Sequence, residues 1–357
     1  PGTGAGTGTG THTCNGCTTS SGSPANSGSA STSPGTVATD ASGLPAITPA
    51  TGVLVAGDAM LALSNLWQID ERAVSRRSEA LRLDDAPTGS AFWADTDSGS
   101  LKGDSADGRS YRQDASNVSA GAEWRADADQ GRSTIGVVYT HAQSRAHLQN
   151  GSADLRGDSV GIYGSWNAGG GWFADATART GRLSDSYTSR DAFGVTSGRY
   201  HARASSVSVR AGRRFRGEHG GYIEPQVQAA YGSIGAIGYT ASNRVRFDAD
   251  RNHTFLSRAG VLFGQSFFLG PTLTGDAYAR VAVVHTVGDR PDLTASLDGG
   301  SLPLVLPARH ATTREVALGG RVAFGLTWSA YAEAGHASRT DALAGGWRAS
   351  AGFRVNF

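Results

Sequence analysis

From residue 90 to its end the chain alternates between apolar and polar positions. Val118, Ala120, Ala122 and Trp124 oppose Ser119, Gly121, Glu123 and Arg125, and Trp172, Ala174, Ala176 and Ala178 oppose Phe173, Asp175, Thr177 and Arg179. Ile223, Pro225, Val227, Ala229 and Tyr231 oppose Glu224, Gln226 and Gln228, and Val316, Leu318, Val322 and Phe324 oppose Glu315, Ala317 and Arg321. In the closing stretch Trp347, Ala349, Ala351, Phe353, Val355 and Phe357 share one parity, while Arg348, Ser350, Gly352, Arg354 and Asn356 share the other. Successive side chains of a strand point to opposite faces, so each segment predicts one apolar and one polar face. Twelve segments of this kind are predicted, near 90–97, 116–127, 132–146, 154–168, 171–186, 199–216, 221–234, 252–267, 274–287, 310–325, 328–337 and 345–357.

The connections support one architecture. Those after the even-numbered segments are short, such as Asp127–Gly131, Asn167–Gly171, Arg216–Gly221 and Phe268–Leu273. Those after the odd-numbered segments read as longer polar loops, such as Thr96–Ala115, Thr188–Gly198 and Gly288–Arg309. A soluble edge strand ending on a bare aromatic invites aggregation. A membrane barrel accounts for it, with lipid outside, a polar lumen inside, an even strand number and short turns on one rim. Closure also satisfies every backbone group within lipid. The predicted fold is all-β, a 12-stranded antiparallel transmembrane β-barrel with an N-terminal α-helix in its lumen.

That helix is predicted over 58–83, with Asp58 as its N-cap and without Gly or Pro in its interior. Arg76, Arg77 and Arg82 lie toward its C-terminal end, where the helix dipole favours cations. At 1.5 Å per residue it would be roughly 38 Å long, enough to traverse a barrel. Its polarity forbids contact with lipid but suits a lumen, where Arg72, Arg76, Arg77 and Arg82 would meet Glu123, Asp175, Glu224, Glu315 or Glu333. In a wet lumen each such pair would contribute little. Residues 1–57 form a low-complexity Gly/Thr/Ser/Ala/Pro tract that reads as a flexible linker. Residues 84–357 are assigned to the barrel.

Composition narrows the functional classes. The chain has 357 residues, 50 of them Gly, 18% charged residues and a net charge of +1, which argues against nucleic-acid binding. Lys102 is the only Lys, so Arg supplies the fixed planar donors that a polar channel would use. No segment approaches 18 consecutive apolar residues, which argues against a transmembrane helix. The chain begins at Pro1, as expected of a piece of a longer precursor. Cys14 and Cys17 sit in the low-complexity tract and read as a local disulfide or idle thiols. Gly157-Asp-Ser159-Val-Gly161 matches a nucleophile elbow, but strand pattern continues through Ile162, Tyr163 and Trp166 where the elbow needs a helix. The nine His form no metal-ligand spacing, and His141, His201 and His285 are expected near strand ends or in the lumen. Neither a metal, a cofactor nor an enzyme activity is predicted.

Four stretches resemble the C-terminal translocator domain of monomeric autotransporters, the type V secretion family, in its pertactin-like branch. They are Leu66-Trp67 with Ala73-Val-Ser-Arg-Arg77 and Leu81-Arg-Leu83; Asp158-Ser-Val-Gly161 with Asp175-Ala-Thr-Ala-Arg179; Arg210-Ala-Gly-Arg-Arg-Phe215 leading to Gly221-Tyr-Ile-Glu-Pro-Gln226; and Gly345–Phe357. The resemblance covers residues 58–357. It implies an integral outer-membrane barrel that exports an N-terminal passenger to the cell surface, with the helix plugging the pore afterwards. It implies as partners the chain's own passenger, the barrel-assembly machinery, periplasmic chaperones and outer-membrane lipids, with the barrel monomeric and no nucleic acid bound. Phe353, Val355 and Phe357 would form the assembly signal. Some family members cut themselves at an Asn of the pore helix; here Asn65 stands alone, without the paired Asn, and self-cleavage stays open. The competing readings are a diffusion porin, which would need neither linker nor helix, and a barrel hydrolase, which would need a catalytic group at the long-loop rim.

Overall fold

In a computed structural model the described residues are 51–357 apart from 83–87, 106–107, 129, 193, 290–291 and 307–308, with the side chains of 70–75 and 128 also outside the description. The Cys14/Cys17 reading and most of the linker therefore lie outside the described residues.

Among the described residues one helix, α1 (Thr51–Arg82), is followed by seventeen strands. The first six are β1 (Gly89–Asp104), β2 (Ser110–Ala128), β3 (Gly131–Leu148), β4 (Gly151–Ala168), β5 (Trp172–Asp191) and β6 (Gly194–Arg213). Then come the two-residue β7 (Phe215–Arg216), β8 (Gly221–Ile234), β9 (Ile237–Thr240), β10 (Arg246–Ala249), β11 (Asn252–Gly270) and β12 (Leu273–Gly288). The chain ends with β13 (Asp292–Leu297), β14 (Gly300–Val305), β15 (Ala311–Phe324), β16 (Trp328–Ala337) and β17 (Gly345–Asn356). Twelve long strands pair in the order β1, β2, β3, β4, β5, β6, β8, β11, β12, β15, β16, β17, and every pairing among them is antiparallel. β17 returns to β1, with Phe353 opposite Ala94 and Asn356 opposite Ala91, so the barrel closes.

Alternation sets the two faces. Leu318 is 68% exposed and Phe357 67% exposed on the outside, whereas Glu123, Glu224, Arg354 and Asp175 are buried inside. Phe357 donates its backbone N–H to the Ser90 carbonyl at 3.0 Å and its ring lies 5.2 Å from that of Phe92, so the last residue seals the closing seam on the lipid face.

The strands outrun the sequence prediction at one rim. Thr96–Asp104 and Ser110–Ala115, expected in a loop, are strand, β3 returns through a two-residue turn, and β5 and β6 remain paired as far as Asp191 and Gly194. Outside the apolar band no lipid demands an apolar outer face, so these extensions are polar on their outer side and read as loops. The two long connections that do exist carry the four short strands, which form a separate sheet in the order β14, β13, β10, β9 at this far rim. At the other rim lie both ends of the barrel and the short turns.

The helix starts at Thr51, seven residues before the expected Asp58. Gly52, Gly57 and the Thr/Ser-rich approach hid its first two turns. Thr51–Ile69 is long and apolar enough to cross a membrane, yet it is enclosed by protein. A helix apolar on all sides is stable only when surrounded, and here the upper lumen surrounds it. Val55, Ala59, Leu63 and Leu66 pack with Leu155, Leu183, Tyr187 and Tyr200 of the barrel and with Phe247, Leu293 and Leu304 of the rim sheet. A Cβ at Gly57 would sit 2.8 Å from Leu306 and 2.9 Å from Leu304, so glycine is what lets the helix approach the rim sheet this closely.

Candidate functional site in the barrel lumen

The thirty-two residues of α1 make a rod of roughly 48 Å at 1.5 Å per residue. It runs from the far rim, where Gly57 meets Leu304 and Leu306, to the near rim, where Arg82 lies over Phe173. Its upper half is largely apolar, with polar contacts made by Asn65 and Trp67 at its waist and by Asp58 nearer its start. Asn65 donates to the Tyr111 hydroxyl at 2.7 Å and to Gln113 at 3.2 Å, and accepts from Arg309 at 2.7 Å. The Arg179 guanidinium stacks 3.9 Å from the Trp67 ring centroid and donates to the Trp67 carbonyl at 2.6 Å. Asp58, inside the helix rather than capping it, pairs with Arg109 of the β1–β2 connection.

The lower half carries a network of charges. Arg77 makes a bidentate contact to Glu123 at 3.0 and 2.5 Å, and the same carboxylate accepts from Arg354 at 2.7 Å and from the Tyr163 hydroxyl at 2.8 Å. Trp93 donates to Tyr163 at 2.7 Å, extending the chain to β1. Arg76 pairs with Asp97 at 2.9 Å. Glu79 accepts from Arg210 at 2.6 Å and from Arg280, which also holds Glu333 at 2.8 Å. Arg82 bridges Asp175 at 2.8 Å and Glu224 at 2.7 Å, while Arg214 donates to Glu224 and to the Arg82 carbonyl at 2.7 Å. That last bond satisfies a free carbonyl at the helix C-terminus, where cations also complement the dipole.

The predicted lumen residues are thus largely brought together, with corrections. Glu123, Asp175 and Glu224 meet the helix. Glu315 and Glu333 face the lumen but have barrel arginines as their ion-pair partners, Arg258 at 2.8 Å and Arg280. Arg76 meets Asp97, which was not predicted, and the Arg72 side chain lies outside the described residues. The pairs are not wet: the side chains of Arg77, Glu123, Arg82 and Glu224 are at most 3% exposed. A buried pair is costly to make but far costlier to break from one side, so these contacts fix position more than they add net stability. The prediction missed Glu79, which lies between Arg77 and Arg82 on the lower helix, because no pattern in the strands tells which helix face they receive. Inward parity of Arg210 and Arg280 was the available signal.

Among the decoys, Ser159 lies mid-strand in β4 with strand on both sides, so the turn and helix of a nucleophile elbow are not formed there. His141 and His201 are exposed and His285 is half-buried, all three on the outer face and not in the lumen; the turn to polar residues above the apolar band puts them there. Among the described residues no group of three metal-ligating side chains occurs.

The family model "Autotransporter beta-domain" matches residues 92–335. The pertactin autotransporter of Bordetella parapertussis is 28% identical over 303 residues, covering 82% of this chain and 31% of the relative. The chain therefore spans about a third of the length of that curated relative. Among solved structures, the β domain of the Bordetella autotransporter BrkA superposes with a TM-score of 0.63 at 23% identity, over 75% of this chain and all of that one. The translocator domain of the Neisseria meningitidis autotransporter NalP gives 0.65 at 18% identity, over 86% of this chain and all of that one.

Proposed function

Because the chain belongs to the autotransporter β-domain family, outer-membrane barrels that mediate passenger secretion, we propose that α1 is the trailing segment of an exported passenger, locked into the pore as its plug. In this reading residues upstream of Thr51 lead to the passenger at the cell surface, and the far rim with its small sheet is the surface rim. The carrying observation is the division of α1 into an apolar upper half sealed by side chains of the rim sheet and a lower half held by Glu79, Arg77 and Arg82 in a dry ion network. A passenger sliding through the lumen needs a weakly interacting path, whereas this helix is fixed at both ends.

The closing strand supports an assembly role. Phe353 and Phe357 are exposed on the lipid face and Val355 lies half-buried between them, next to the seam where β17 must find β1. We assign these three side chains to the signal read by the barrel-assembly machinery, with periplasmic chaperones shielding them beforehand. A single chain closes the barrel, as a monomeric translocator requires.

An epitope inserted before residue 51 tests export. It is expected to be labelled by antibody on intact cells and to be removed by added protease while the barrel stays intact. An epitope reachable only after outer-membrane permeabilisation would contradict the proposal.

A further inference from the structure

On the outer face of β3–β6 the apolar band ends abruptly in arginine. Reading upward from the near rim, the outward positions are Ala174, Ala176, Ala178 and Thr180 on β5, then Arg182; on β6 they are Val209, Val207 and Ser205, then Arg203, His201 and Arg199. β4 passes from Ile162 and Val160 through Asp158 to Arg156. On β1 and β2 the corresponding step is neutral, with Thr96, Ser98 and Ser116, and on β15 it carries a single arginine, Arg314.

The arginines are poorly compensated. Arg182 stands directly opposite Arg203 across the β5–β6 ladder, a like-charge arrangement that is unfavourable on a sheet. Asp158 is across from Arg182 on the other side, where its Oδ1 is engaged by the Tyr139 hydroxyl at 2.7 Å and by His141 at 2.8 Å, so one carboxylate faces four arginines. Among the described residues Arg156, Arg182, Arg199 and Arg203 make no ion pair.

The surface there is shaped as well as charged. A shallow groove of about 690 Å³ is bordered by Tyr139, Val160, Arg182, His201 and Arg203, with Asp158 as the one carboxylate on its edge. Tyr139, Val160 and Thr180 also border a second, apolar groove of about 900 Å³ that descends the band past Val137, Ile162, Ala178 and Val207. A basic hollow thus opens directly onto an apolar channel, the outline of an amphiphile with an anionic head.

We propose that this face is a binding site for one phosphate-bearing lipid of the outer leaflet. The phosphate sits between Arg182 and Arg203, and an acyl chain lies in the apolar groove between Val160, Ile162 and Val207. Arginine suits phosphate because its planar fork gives paired donors. The site rests on the barrel being in the outer membrane, and its readout does not depend on the plug or on secretion.

The test is native mass spectrometry of the full chain in detergent with diphosphoryl lipid A added, alongside the same lipid stripped of both phosphates. The wild-type chain is expected to retain one diphosphoryl lipid. Arg182→Ser/Arg203→Ser is expected to lose about thirtyfold in apparent affinity and Arg203→Gln alone about fivefold. Arg314→Ser, an isolated outward arginine on β15, is expected to change nothing. Heat-modifiable migration checks that each variant is folded, and the single variant keeps the test decisive if the double one is not. No retention by the wild type, equal retention of the dephosphorylated lipid, or unchanged retention in folded Arg203→Gln would overturn the proposal. Displacement of the lipid by equimolar inorganic phosphate would assign the arginines to a free anion and overturn it too.

Discussion

Replacing Glu123 by Ala should loosen the plug. Its carboxylate is the shared acceptor of Arg77 from the helix, Arg354 from β17 and Tyr163 from β4. Both guanidinium groups are 2% exposed, so neither gains water when the carboxylate is removed. Stripping one partner from a buried pair costs about 3–5 kcal/mol, mostly through the charge left behind. With the helix withdrawn, Arg77 and Arg354 would both hydrate, so the penalty falls on the plugged state and not on the open one. At 1.4 kcal/mol per decade the closed-to-open ratio should drop by about two to three and a half orders of magnitude. Glu79 and Arg82 still hold the helix, so the expected record is frequent brief openings in planar bilayers and not a permanently open pore. A double-mutant cycle with Arg77→Ala isolates the pair: the second substitution should add little once the first is made. Arg145→Ala, which breaks an exposed pair with Asp154, serves as the control. An opening frequency in Glu123→Ala within about threefold of that control, or additive single effects, would refute this reasoning.

Phe357→Ser should reduce the amount of heat-modifiable barrel recovered from outer membranes, since it removes both the lipid-facing ring and its contact with Phe92; normal recovery would count against the assembly role. Asp185 offers a pH test above the membrane, because the outward neighbours Arg182, Ser184 and Ser186 place it beyond the apolar band. Burial pushes its carboxyl up to about 7, against the opposing pull of the Tyr200 hydroxyl and with help from Asp154. A carboxyl raised in the folded state binds protons that the unfolded chain has released, so stability should fall as pH rises from about 4 to about 7, by on the order of 4 kcal/mol. Asp185→Asn should flatten that part of the pH profile of urea unfolding; an unchanged slope would show that the group titrates normally.

Much of this was legible in the sequence because a barrel strand writes its environment at every second residue. Parity alone put Glu123, Asp175 and Glu224 in the lumen and Trp124, Trp172 and Phe357 outside it. Parity says nothing once lipid is left behind, which is why the polar extensions of β1, β2, β5 and β6 read as loops. Nor does it fix how a helix is rotated within the lumen, so Asp97 and Glu79 could not be matched to Arg76, Arg210 and Arg280. The first turns of α1 were hidden for a related reason. Gly52 and Gly57 weaken intrinsic helix propensity, and Gly57 is held by packing against Leu304 and Leu306 from a distant connection, which local sequence does not reveal.

The most direct test of the account is the conductance of the folded barrel with and without residues 51–82. The intact chain should show a closed or barely conducting pore, and the deleted chain, still heat-modifiable, a large and steady conductance. Equal conductance in the two would contradict a plug seated in the lumen.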